Sequence, residues 1–188
     1  MVKDTNDPDI CLKQCFPNLK SDKYYKATSP RDFNYNCIAW AMRLNDRWVE
    51  PDLAAGRWWP YEYNDQSVEY TPESLIHAFE AIGYTICSDC KRQFWFDKVA
   101  LYKHTTENRW THAARIIDEH EFHSKAGEVW DFHHDSEVYR LHNKYDLSRT
   151  YGCVFAYMRR HKLLRLYSFY LRVKLFFVKM INGIKYCL

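Results

Sequence analysis

A cysteine acts as a nucleophile through its thiolate, and it needs a base within reach to take the proton. The run Asn36-Cys37-Ile38-Ala39-Trp40-Ala41 places one at the expected start of a helix. Asn36 is a good N-cap, and Ile38, Ala41, Met42 and Asn45 follow at helical spacing. A thiol there meets unpaired backbone amides and the positive end of the helix, which favour thiolate. The same amides, at Asn36 and Cys37, could hold a developing oxyanion. A strand imidazole is the natural base, and His112 in Thr111-His112-Ala113-Ala114-Arg115 is one, with small alanines that let another element come close. Cys37 and His112 are thus the candidate nucleophile and base. The plainer reading makes Cys37 a buried core thiol, since free cysteine is among the most buried residue types.

The elements that would position this pair are helices first and strands second. Residues 1–34 are polar and broken by Asp7-Pro8, Phe16-Pro17 and Ser29-Pro30, and read as an irregular arm. A helix opens at Cys37, and a second spans Thr71 to Gly83, with Thr71 as cap and Pro72 at the first helical position. Between them lies a Trp/Pro-rich loop, in which Trp58 and Trp59, together with Trp40, could wall a substrate cleft or simply fill a core. Residues 84–87, 98–103, 111–117, 121–125 and 153–160 then form short β-prone runs. That order predicts an α+β domain over 1–160 with an antiparallel sheet. Residues 161–188 stand apart. Arg165, Arg172 and Lys179 lie seven residues apart in a run that is otherwise mostly apolar, a basic amphipathic helix that could dock on the core or meet a membrane or partner protein.

Other chemistries find little support. The pair Cys87/Cys90 is a CxxC, but zinc needs two more ligands at suitable spacing, so no metal or cofactor is expected. There is no glycine-rich phosphate loop and no Gly-x-Ser-x-Gly elbow. A formal charge of +3 is too small to imply nucleic acid. Seven cysteines, an odd number unevenly spaced, after a start without an apolar leader, suggest free thiols in the cytoplasm where the chain is made. Delivery elsewhere by a secretion system would leave no such mark.

Several motifs, taken in order, resemble those of the DUF7689 family. They are Tyr35 to Ala41, Trp58-Trp59-Pro60, Lys98 to Tyr102, Thr111 to Arg115, Ser124-Lys125-x-Gly127, Asp131-x-x-His134 and Tyr151-Gly152. The resemblance covers about residues 16 to 160 and departs from the family at Gln93 to Phe96. It implies kinship with papain-like and NlpC/P60-type cysteine hydrolases: a papain-like fold with N-terminal helices, an antiparallel sheet and an appended C-terminal helix. It carries a Cys–His pair onto Cys37 and His112, and a third, orienting residue onto Ser124, with Asp131 and His134 as rivals. The implied activity is thiol-dependent hydrolysis or transfer on a peptide, acyl or protein substrate, in the manner of a peptidase, amidase, acyltransferase or deamidase, with a bacterial effector or toxin role among the options. A non-enzymatic interaction module on the same scaffold is the competing reading.

Overall fold

The computed structural model describes residues 7–52, 55–60, 69–136 and 151–165. Its dominant feature is one seven-stranded sheet, antiparallel throughout, in the order β1-β6-β5-β4-β3-β7-β2. The strands are β1 (Lys26–Ala27), β2 (Thr85–Cys87), β3 (Phe96–Lys103), β4 (Trp110–Ile116), β5 (Glu121–Lys125), β6 (Asp131–Asp135) and β7 (Cys153–His161). The helices are short: α1 (Pro8–Cys15), α2 (Cys37–Ala41) and α3 (Pro72–Glu80), with a 3-10 turn at Pro17–Lys20. This overturns the expected papain-like α+β arrangement with N-terminal helices. The helical signals are real but stop early. The helix expected to reach Asn45 is capped at Met42, and Arg43 then turns left-handed at φ 65°.

Side-chain alternation divides the core between the two faces of the sheet. On β3, Val99 and Leu101 join one cluster, with α2, α3, Trp59 and Ala113 of β4. Ala100 and Tyr102 join the other, with Ala114, Phe122, Phe132 and Trp130. Leu12 and Phe16 of the α1 region and Leu19 of the 3-10 turn cover that second face. Each is almost wholly buried, worth about 1.5–3 kcal/mol per side chain. The stretch 1–34 is therefore not wholly irregular: Asp7 caps α1 by accepting from the Asp9 amide at 2.9 Å, and Pro8 occupies the first turn.

The strands nearest the site are imperfectly zipped. β4 and β5 pair only at Arg115 with His123 and Ile116 with Phe122, so they part toward Ala113 and Ser124. Helix α2 packs against both strands there. The expected C-terminal helix lies, beyond Arg165, outside the described residues.

Candidate functional site

Asn36 sets the start of α2. Its side-chain oxygen accepts from the Ala39 amide at 3.0 Å, and its Nδ2 donates to the Val49 carbonyl at 2.9 Å. One side chain thus caps the helix and ties it to the following loop. Cys37, the next residue, turns its thiol toward the amides of Ala113, Ile38 and Cys37 itself. Ala113 stands where β5 has left β4. These amides favour thiolate, but burial outweighs them and pushes the thiol up to about 11. The expected stabilised thiolate is therefore corrected: at rest Cys37 is a neutral thiol.

His112, Ser124 and His134 stand on the adjacent strands β4, β5 and β6, and all three are fully buried. His112 Nε2 lies 2.9 Å from Ser124 Oγ, and Ser124 Oγ lies 2.7 Å from His134 Nε2. The far end of the chain fixes every proton. His134 Nδ1 is 2.7 Å from the Asp135 carbonyl, which can only accept, so Nδ1 carries hydrogen. Burial holds His134 down at about 4, so its Nε2 is bare at neutral pH and accepts from the Ser124 hydroxyl. The Ser124 oxygen in turn accepts from His112 Nε2–H. His112 is itself held well below 6.5 by burial and by His134, so its Nδ1 keeps a lone pair. That atom is buried and has no hydrogen-bond partner among the described residues. Tyr151 stacks on the imidazole with centroids 3.8 Å apart and planes 13° apart, while Thr111 Oγ1 donates to the Tyr151 carbonyl at 2.6 Å.

Cys37 and His112 line one cavity of about 620 Å³. Its remaining walls come from Cys11, Leu12, Cys15 and Phe16 at α1, the Ala126–Trp130 turn, Trp48, Thr111 and Tyr151. The three tryptophans expected as its wall lie elsewhere. Trp59 stacks on Trp110 in the core, Trp58 sits under Arg47, and Trp40 is sandwiched between Tyr35 and the Arg115 guanidinium. Trp48 and Trp130 take that role, which their surroundings in the sequence do not signal. Asp131 is engaged away from His112. Its carboxylate accepts from Tyr35 at 2.8 Å and faces the buried Lys125 at 3.7 Å. Of the three rivals for the orienting role, Ser124 is the one that touches the imidazole, and His134 stands behind it.

A family described as "Domain of unknown function (DUF7689)" matches residues 26–159, most of the chain. The chain belongs to the DUF7689 family. No curated protein and no solved structure matches it. The DUF7689 span contains Cys37, His112, Ser124, His134 and Tyr151, but α1 precedes it. One wall of the cavity is thus built outside the family domain. The CxxC thiols are spent locally, Cys87 donating to the Asp89 carbonyl and Cys90 lying 4.0 Å from that of Glu119. Among the described residues no three His, Cys, Asp or Glu side chains are grouped to hold a metal.

The buried imidazoles give the DUF7689 domain a defined acid sensitivity. Unfolded, both titrate near 6.5; folded, His134 sits at about 4 and His112 also well below 6.5. Below about pH 6.5 the unfolded chain therefore binds more protons than the folded one. Stability that is complete above that value is lost as pH falls through the folded values. The slope is up to about 1.4 kcal/mol per pH unit for each residue. Urea midpoints should fall steadily from pH 7 to pH 5, and His134→Gln should flatten the slope. A midpoint unchanged over that range would show that these histidines titrate alike in the folded and unfolded chain.

Proposed function

We propose that the protein is a thiol-dependent hydrolase or acyltransferase with Cys37 as nucleophile and His112 as general base. One observation carries this reading. The His112–Ser124–His134 chain leaves an unshared lone pair on His112 Nδ1, and His112 lines the same cavity as the Cys37 thiol. A histidine present only for packing has no need of a tautomer fixed from two strands away.

Because both groups are neutral at rest, the proton moves during attack. Sγ bonds to the substrate carbonyl carbon while His112 Nδ1 takes the thiol proton. The amides of Ile38 and Ala113 beside the sulfur are the nearest donors for the oxyanion. Collapse breaks the bond to the leaving amine, alcohol or thiol, which receives the proton from His112 and leaves a thioester on Cys37. Water, deprotonated by the same nitrogen, then releases the acid and restores the thiol; an amine in its place completes transfer. Among the described residues no Lys or Arg lines the cavity, and Glu128 is its single carboxylate. Uncharged or cationic acyl groups therefore suit it better than anionic ones.

The test is a neutral activated ester, such as a p-nitrophenyl acyl ester, followed by intact mass and peptide mapping. The expected result is one acyl adduct on Cys37, absent in Cys37→Ser and retained in Cys90→Ser. Labelling of Cys87 or Cys90 in preference to Cys37 would sink the enzyme reading. The desolvation that raises the thiol favours the second reading, a binding module in which the half-buried Cys37 packs against the core. Failure of this test would leave that reading standing.

A further inference from the structure

Away from the cavity, the end of β7 meets the loop before β3 at a surface of unusual composition. Phe94 and Trp95 are 67% and 60% exposed, their rings edge to face with centroids 5.0 Å apart. Leu163 and Leu164, in the helical residues that follow β7, are 59% and 42% exposed. Phe94, Trp95, Lys162, Leu163 and Arg165 line a shallow depression of about 440 Å³. Lys162 locks the two segments together: its amide donates to the Trp95 carbonyl at 2.8 Å, and its ammonium donates to that of Phe94.

The charge around these apolar side chains is predominantly basic. Lys91 and Arg92 are exposed in the same loop, Lys162 lies over the Phe94 ring, and Arg159 lies over the neighbouring Phe96. Asp118 and Glu119 stand on the adjacent β4–β5 turn, Asp118 near Arg92, and the other acids nearby are already paired. Asp97 is buried among Arg43 at 3.0 Å, Arg165 at 3.2 Å and Arg160 at 3.8 Å, and Asp89 is paired with Lys98 at 2.8 Å. The sequence beyond continues the pattern, since residues 161–188 hold six Lys or Arg and no Asp or Glu. Solvated aromatic tips ringed by cations match a bilayer interface, where Trp and Phe enter the headgroup layer and basic side chains meet anionic lipid.

We propose that this face, centred on Phe94 and Trp95, docks on an anionic lipid surface. Among the described residues no helix is long and apolar enough to cross a membrane. The proposal does not depend on the chemistry assigned to Cys37.

Co-flotation of the full chain with vesicles tests it, comparing pure phosphatidylcholine with phosphatidylcholine carrying about 30% phosphatidylserine. Binding is expected only to the anionic vesicles, and it should fall at least tenfold at about 0.5 M salt. The exposed double variant Phe94→Ala/Trp95→Ala should fold with an unchanged thermal midpoint yet lose about tenfold or more in vesicle affinity. Equal binding to both vesicles would overturn the electrostatic half of the proposal. Undiminished binding by the double variant would overturn the site and transfer the role to the chain beyond Arg165. No vesicle binding, with a dimer in sedimentation that the double variant abolishes, would make the face a contact between two copies of the chain.

Discussion

Replacing His112 by alanine should slow acylation of Cys37 by about 10²–10⁴-fold at neutral pH, and the deficit should shrink as pH rises. The argument rests on two opposed shifts. Burial raises the Cys37 thiol to about 11 and lowers His112 well below 6.5, so both are neutral across the physiological range. An imidazole base is competent when unprotonated. Its contribution is complete above its folded pKa and is lost as pH falls through that value. The acid limb of the pH–rate profile should therefore lie well below 6.5, with no inflection at the usual histidine value. On the alkaline side, direct ionisation of the thiol supplies nucleophile without a base, so the variant's residual rate should climb toward pH 11. A resting thiolate–imidazolium pair would behave differently, with fast alkylation already at pH 6 and a sharp loss on removing the imidazole. Rates for wild type and His112→Ala that coincide at pH 7 would remove His112 from the mechanism.

The contrast between these outcomes follows from what a sequence can and cannot carry. The five β-prone runs from Tyr84 to Arg160 correspond to β2, β3, β4, β5 and β7, because their β-branched and aromatic residues declare a pleated surface locally. The N-caps at Asn36 and Thr71 were equally legible, each being a single side chain bonded within three residues. Strand β6 was not. Asp131-Phe132-His133-His134-Asp135 has little intrinsic β preference and is held by pairing with all five residues of β5. Helix α1 is ambiguous in the sequence, since Asp7-Pro8 is as good a cap and first-turn pair as it is a turn signal.

The site divides along the same line. That Ser124 could reach His112 was readable from their separation and the strand pattern. The raised thiol was not, because a helix start is visible in sequence while the protein packed around it is a property of the fold. The choice of Trp48 and Trp130 over Trp40, Trp58 and Trp59 as cavity walls depends on α1 and the β5–β6 turn meeting across the sheet. The order of motifs also said less than it seemed to about architecture. A five-residue helix carrying the cysteine, laid on sheet strands carrying the histidine and the serine, groups them without a layer of N-terminal helices.

Gly152→Ala should be the most damaging single methyl that can be added near the site. Gly152 has φ +72°, and a Cβ there would lie 1.9 Å from the Lys103 carbonyl oxygen, 2.8 Å from its carbon and 3.1 Å from the His104 Cα. All three are backbone atoms, in and just after β3, where Lys103 pairs with Cys153 beside an irregularity in the register. No side-chain rotation relieves the overlap, so β3 and β7 must separate at that end. The cost should reach about 4 kcal/mol or more, lowering the thermal midpoint by on the order of 10 °C. Gly56→Ala is the matched control. Its φ is +70°, but nothing lies within 4 Å of the added carbon, so it bears only the left-handed penalty of about 1–2 kcal/mol. The two variants differ in the clash alone, and equal losses would mean that the strands yield freely. Any folded Gly152→Ala protein should in addition show slower acylation of Cys37. The same backbone approach holds Tyr151 flat against the His112 ring, and that stacking helps fix the orientation of the imidazole.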